Sequence, residues 1–292
     1  MTKSGWRTIV INNGEKIGCS YDQLVIKSDV EHIVPIEQIK IIMIDTAQTQ
    51  ISTKLIAELL RNNVKVIFCD EKHNPVGEIT PYNSNIYAPG RLHEQILWTQ
   101  SDKDVMWQKI VKAKIAMQQK LLKSLKKSGG ELLQQYLEEV ETGDILNREG
   151  QAARVYFNSL FGMNFRRRTE NNINAALNYG YTVLLSNINR VVTMHGYHLG
   201  LGIKHCDKMN PFNLSCDIIE PFRPFVDVVV HKNGDRELDW PYKKELINIS
   251  YKTVVYKGQK TELQTALDSF AFDLLENVSN INYCLKEVEM VE

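Results

Sequence analysis

Short runs of valine and isoleucine, each closed by turn-forming residues, dominate the chain up to about residue 90. QLVIKSD, HIVPIEQIKIIMID and VKVIFCDE carry the β-branched content and polar boundaries expected of strands. TIVINNGEKIGCS sets apolar runs on both sides of Asn13-Gly14, a pair that favours a two-residue hairpin because both positions tolerate positive φ. One helix is predicted among these strands, over TKLIAELLRNN. Ser52 is placed to cap it, and Leu55, Ile56, Leu59 and Leu60 share one face. TPYNSNIYAPGR, with Pro81, Pro89 and Gly90, reads as a linker.

Beyond this stretch the apolar period changes to 3.6. A long helix is expected over 102–127, with Val105, Ile110, Ile115, Leu121, Leu122 and Leu125 among its apolar positions and Ser128-Gly129-Gly130 as its stop. Further helices are expected at about 131–141, 145–161 (Asp144 as N-cap, Gly162 at the C-terminal end), 171–194 and 261–278. The predicted fold class is therefore α+β. A small N-terminal β-rich domain spans 1–85, a linker 86–100, and a larger all-helical domain 101–292.

Composition adds limits rather than a function. The 292 residues are 43% hydrophobic and 24% charged, an ordinary globular balance for a chain long enough to form two domains. Lysine plus arginine equals aspartate plus glutamate at 35 each, so net charge supplies no general attraction to nucleic acid. The distribution is less even: 103–127 holds eight lysines against Asp104 alone, and Arg166, Arg167 and Arg168 stand together. Five cysteines, Cys19, Cys69, Cys206, Cys216 and Cys284, form no CxxC pair. That excludes a disulfide framework or zinc ribbon and fits a reducing compartment. No leader-like start and no apolar run of bilayer length is present, so a cytoplasmic protein without a membrane partner is expected.

The stretch that changes the picture is CDIIEPFRPFVDVVV, 216–230, which keeps three carboxylates in an apolar run. At 100° per residue Ile218, Phe222, Phe225, Val226 and Val229 share one arc, while Asp217, Glu220, Pro224 and Asp227 fall opposite. This predicts a helix kinked at Pro224, with Asp217 and Glu220 projecting together. A helix this apolar is expected to sit deep, where an unpaired carboxylate is costly. On the residues alone, a solvated acidic face, neutralisation by Arg223 and neutralisation by a metal ion all remain open. His205 lies in the loop GLGIKHCDKMNPFNL, which leads into this helix. Glu149 lies in LNREGQAARVYF beside Gly150, whose missing side chain would admit a DNA backbone. Together a glutamate, a histidine and a carboxylate pair make an oxygen-rich set with one imidazole. That set suits Mg²⁺ or Mn²⁺, ions used against phosphate oxygens.

At these same residues the chain resembles a known family. NREGQAARVYF, NNINAALNYGYTVLLSNI and HLGLGIKHCDKMNPFNLSCDIIEPFRPFVD, in that order, are similar to the CRISPR-associated adaptation integrases, and GWRTIVIN and VIFCDE to the type II branch. The resemblance covers essentially the whole chain. It implies that Glu149, His205 and Glu220 are catalytic ligands of Mg²⁺ or Mn²⁺. Many members carry aspartate where this chain has Glu220. It also implies Asp217 as an outer ligand, or as a group that orients the ligands themselves. The family's reaction is transesterification: the 3′-hydroxyl of a captured DNA fragment attacks a phosphodiester at the leader–repeat junction. The protein needs no covalent nucleophile for this, and none is evident in the sequence. The implied partners are prespacer and leader–repeat DNA, a second copy of the chain through its N-terminal domain, and a small ferredoxin-like protein. Lys204 and Arg223, next to ligands, and the Arg166–Arg168 run are the expected phosphate contacts. The lysines of 102–127 are a further candidate track, while Tyr156, Tyr179 and Tyr181 receive no role. The alternatives are a stand-alone structure-specific nuclease and a non-catalytic DNA-binding assembly subunit.

Overall fold

The computed structural model describes residues 7–28, 30–71, 75–79, 87–276 and 288–290. Cys284 and most of the expected linker stretch 80–91 lie outside them. The chain divides into two compact units, Met1–Ile86 and Tyr87–Glu292.

The first unit holds two four-stranded sheets. One has the order β1 (Arg7–Ile11), β5 (Ile39–Ile44), β7 (Lys65–Cys69), β8 (Pro75–Ile79); the other has β4 (Glu31–Pro35), β3 (Gln23–Lys27), β2 (Lys16–Ser20), β6 (Gln50–Ile51). Helix α1 (Thr53–Arg61) starts where expected, with the Leu55 N–H donating to Ser52 Oγ at 3.2 Å. Its Leu55 and Leu59 join Ile11, Ile17, Leu24 and Ile42 in one core.

The Asn13-Gly14 hairpin does not form. β1 pairs in parallel with β5, Ile9 opposite Ile42 and Ile11 opposite Ile44, while β2 pairs with β3 in the other sheet. β5 is buried along nearly its whole length and takes a strand on both edges, so β1 is drawn to it and not to β2. The tight hairpin falls one strand later, at Tyr21-Asp22, both with left-handed φ of 46° and 59°. Two successive positive φ values give the turn a twist that matches the paired strands.

The second unit is helical, as expected, with one addition. β9 (Thr253–Tyr256) pairs antiparallel with β10 (Gln259–Glu262) and with β11 (Val288–Met290), forming a small sheet that the all-helical expectation lacked. The expected 86–100 linker contains helix α2 (Ala88–Ile96). Pro89 sits in its first turn, where a missing N–H costs nothing. At the centre runs α3 (Gln100–Ser124), opened by a Thr99/Asp102 capping box and buried along most of its length. Against it pack α4 (Gly130–Glu138) and α5 (Arg148–Phe161), while α6 (Asn172–Met194) packs with α9 (Trp240–Ile247) and α10 (Leu263–Glu276).

The acidic stretch is not one kinked helix. It is α7 (Asn213–Ile218), a 3₁₀ turn over Glu220–Phe222, and α8 (Arg223–Asn233). Pro221 and Pro224 each stand in the first turn of the segment they begin, so neither removes a helix-interior bond. The break turns Asp217, Glu220 and Asp227 toward different neighbours, and all three are buried. α8 is held close to α6 at Gly180, where a Cβ would stand 2.5 Å from Val226 Cγ1.

Candidate active site

Three segments of the second unit meet α3 at a cleft of about 480 Å³, lined by Trp107, Asp144, Asn147, Glu149, Lys204, His205 and Glu220 among others. The first is the entry to α5. The backbone turns left-handed at Gly143, Asp144 and Asn147, so it reverses tightly before the helix. The buried Asp144 carboxylate accepts the N–H groups of Arg148 at 2.8 Å and Glu149 at 3.0 Å, and Asn147 Oδ1 accepts that of Gly150. Asn147, not Asp144, is the N-cap, and both side chains satisfy donors of the first turn. Glu149 is thereby fixed at the cleft wall. A Cβ at position 150 would lie 2.9 Å from Asn147 Oδ1. Gly150 therefore makes room for this cap.

The second segment is the loop between α6 and α7. Gln95 of α2 braces its start: Nε2 donates to the carbonyls of His198 at 3.0 Å and Leu201 at 2.7 Å, and Oε1 accepts the His198 N–H at 2.8 Å. The loop then wraps around Asp217, which is wholly buried. Its Oδ2 accepts the N–H of Ile203 at 2.6 Å and of Lys204 at 3.1 Å. Its Oδ1 accepts the N–H of His205 at 3.1 Å and lies 2.6 Å from His205 Nδ1. Four contacts occupy this carboxylate. With Nδ1 donating to Asp217, the neutral ring carries its lone pair on Nε2, the nitrogen left for a ligand. The bond to Asp217 also raises the imidazole's pKa, against the lowering effect of burial. Trp107 meets the ring edge-on, 6.4 Å between centroids.

Glu220, on the 3₁₀ turn, is the third. Arg223 Nη2 lies 2.9 Å from its Oε1, and Lys114 Nζ lies 2.6 Å from its Oε2. The same ammonium is ion-paired with Glu149. Burial pushes the Glu220 carboxyl upward, but Lys114 and Arg223 outweigh it, leaving the group below its usual range. Burial likewise pulls Lys114 down, while Glu220 and then Glu149 hold it above its ordinary value. The contact at Oε2 is thus a short, buried ion pair.

Two carboxylates and an imidazole on one cleft fit a hard divalent ion by donor type. Among the described residues no three His, Cys, Asp or Glu side chains are gathered as a ready-made metal nest. Lys114 stands between the two glutamates.

The family profile for CRISPR associated protein Cas1 matches residues 8–237, well over half of the chain. The chain belongs to the Cas1 family. A CRISPR-associated endonuclease Cas1 from Neisseria meningitidis serogroup C is 34% identical, over 95% of this chain and 93% of its own length. A Cas1 protein from Thermotoga maritima has the same fold, with a TM-score of 0.75 at 14% identity, over 94% of this chain and 97% of that one. So does a casposase bound to integration product, with a TM-score of 0.73 at 19% identity, over 95% and 94%.

Against this geometry the expected residues separate. Glu149, His205, Glu220 and Lys204 all line the cleft, and Arg223 reaches Glu220 behind it. Arg166, Arg167 and Arg168 do not line it. Arg166 is exposed and donates to the carbonyls of Met163 and Phe165, and Arg168 is exposed. Arg167 is half-buried, bonded to Asn174 and Asn178 and stacked over Tyr181. The middle arginine thus braces the α6 region, which leaves its neighbours as the exposed pair. Nor are the α3 lysines one track: Lys112 and Lys123 are exposed, while Lys114 is buried in the cleft wall. Sequence reasoning named Asp144 at the start of this helix but missed Lys114, Asn147 and Gln95 as contributors. For Lys114 a signal existed: it falls on the stripe Trp107, Ile110, Val111, Lys114, Gln118, Leu121, a charged residue among core positions.

Proposed function

We propose that this chain is the DNA integrase and endonuclease of CRISPR adaptation, joining the 3′-hydroxyl of a captured fragment to a phosphodiester of the repeat array. The observation that supports it most is the convergence of Glu149, His205 and Glu220, which come from three separate segments, on one cleft beside Lys114, Lys204 and Arg223. Glu149, His205 through Nε2, and Glu220 would hold Mg²⁺ or Mn²⁺. When bound, such an ion supplies charge stabilisation at the phosphate oxygens undergoing displacement.

The remaining work falls to the chain itself. Asp217 holds His205 in the tautomer that presents Nε2. Arg223 and Lys114 keep Glu220 ionised. Lys204, at the cleft mouth, offers a positive contact for a phosphate of the target strand, and Arg166 and Arg168 offer more distant ones. The nucleophile belongs to the DNA, so no protein side chain needs activation; with water in its place the same cleft would cut. The reading extends to a homodimer formed through the first unit, a small ferredoxin-like partner and action in the cytoplasm. Two facts accompany it: a relative of this fold occurs in a complex described as Cas6-RT-Cas1–Cas2, and no described helix is long and apolar enough to cross a membrane.

The test is strand transfer of a 3′-hydroxyl duplex into a repeat-containing plasmid with Mg²⁺ or Mn²⁺, with and without the small partner. Glu149→Ala, His205→Ala and Glu220→Ala should each remain folded and lose on the order of a thousandfold in joining, the several kcal/mol of a lost ion. A folded variant that still joins ends at the parent rate would refute the reading. Cutting without joining would instead favour a stand-alone nuclease.

A further inference from the structure

We propose that Lys114 is a tethered counter-cation that balances Glu149 and Glu220 in the ion-free cleft, competes with the divalent ion for these two carboxylates, and so couples ion uptake to DNA binding. The proposal rests on the reading that these two glutamates and His205 hold the ion.

Lys114 lies in the middle of α3 on its buried face, 7% exposed, and its ammonium contacts both glutamates. A lysine is rarely buried unless paired, and here the pair consists of the two carboxylates that would ligate the ion. Of the charges in mutual contact, Glu149 and Glu220 contribute two negative and Lys114 and Arg223 two positive, so the sum is zero. Alongside, Asp217 beside the neutral His205 ring and the lining carboxylate Asp144 add two negative charges, and Lys204 adds one positive.

A divalent ion entering this cluster displaces the ammonium from the carboxylate oxygens and turns the formal charge over the cleft from minus one to plus one. Without an anion the displaced ammonium has lost both of its partners. Phosphates of bound DNA replace them, and the ammonium, released from Glu220, has a phosphate oxygen to turn to. Ion and DNA therefore favour each other's binding, and the coupling is reciprocal. Without DNA the cleft resists loading, so the ion-charged state forms chiefly when substrate phosphate is present.

The experiment is an equilibrium Mn²⁺ titration of the full chain, followed by calorimetry and by the electron paramagnetic resonance of free Mn²⁺, with and without a short DNA duplex. Parent protein should take up Mn²⁺ at least about tenfold more tightly when DNA is present, the low end of what an opposite charge at this range contributes. Lys114→Met should bind Mn²⁺ without DNA at least about tenfold more tightly than the parent and lose most of the dependence on DNA. Its ion-free form should melt lower, because two carboxylates lose their shared partner. Lys114→Arg, whose forked guanidinium grips both carboxylates, should bind Mn²⁺ severalfold more weakly than the parent. Should Lys114→Met fail to fold, the arginine variant decides, and unchanged affinity there overturns the proposal. Parent-like affinity and DNA dependence in Lys114→Met would sink the role given to Lys114 alone. No Mn²⁺ uptake by the parent under either condition would sink the ion site itself.

Discussion

Glu220 and Asp227 lie seven positions apart in one segment, are 4% and 1% exposed, and are kept in opposite ways. Glu220 meets two cations, Lys114 and Arg223, on the wall of a cleft and is held below the usual carboxylate range. Asp227 meets two hydroxyls. Tyr156 donates to its Oδ2 at 2.7 Å and Tyr181 to its Oδ1, in a chamber closed to solvent. There burial pushes its pKa up to about 6, although both hydroxyls pull it down. Arg223 stands between the two, its Nη2 on Glu220 and its guanidinium 4.9 Å from the Tyr181 ring centroid. Burial alone therefore does not make a reactive carboxylate. Cationic partners keep Glu220 ionised at the wall of an open cleft, whereas neutral partners make Asp227 a tie between α5, α6 and α8.

Breaking the cleft side alone should leave the chamber intact, and Gly202 is the place to do it. A Cβ there would lie 2.2 Å from the His205 carbonyl and 2.9 Å from Asp217 Oδ2, so the loop cannot close around Asp217 with any larger residue. Gly202→Ala should cost about 1–3 kcal/mol of stability from forced displacement. By shifting His205 roughly an ångström it should also lower strand transfer about a hundredfold. Thermal unfolding and the joining assay read the two effects. Parent-like joining would show that His205 need not be held where it is.

How far this contrast was visible in the sequence depends on which neighbours are local. The α+β layout, the Ser52 cap and the 3.6-residue period of the second unit are set by short-range patterning, and all three are present. Glu149, His205 and Glu220 were reached through motif blocks in a family's order, and they do line one cleft. Asn13-Gly14 misled because the demand of β5 for partners on both edges outweighs a local turn preference. The single kinked helix over 216–230 misled because helical periodicity survives a 3₁₀ break, and two prolines in first turns look the same in sequence as one proline in a helix interior. Lys114 was hidden by its seven lysine neighbours in 103–127, and its partners lie 35 and 106 positions away.

The chamber gives the next largest effect, and it is one of pH. In the folded chain Asp227 takes up its proton near pH 6, against 3.8 for the free side chain. Between those values the folded state holds more protons than the unfolded one. Stability from this group is therefore full below about pH 4, falls as pH rises through about 6, and stays low above it. A carboxyl raised from 3.8 to about 6 carries about 3 kcal/mol of such pH-dependent stability. Asp227→Asn should remove that slope, so the stability difference between variant and parent should change by roughly this amount between pH 4 and pH 7. Denaturant unfolding at the two pH values measures it. A difference independent of pH would mean that Asp227 stays ionised in its chamber, which would remove the contrast with Glu220.

The smallest effect concerns Asp217, which resembles Asp227 in burial but acts on the cleft through His205. Asp217→Asn keeps the size of the side chain and one acceptor oxygen. If that oxygen stays with the Ile203 and Lys204 N–H groups, the new amide faces His205 and donates toward Nδ1. The ring must then accept at Nδ1 and carry its proton on Nε2, the nitrogen proposed above as the ion's ligand. Loss of a group that orients a ligand commonly lowers metal affinity by about 10–100-fold, and Mn²⁺ titration should show a decrease in that range. Nitrogen-15 spectra of the histidine ring read the tautomer directly. Weakened Mn²⁺ binding with the proton still on Nδ1 would mean that Asp217 acts by charge, whereas transfer of the proton to Nε2 would identify ring orientation as its role.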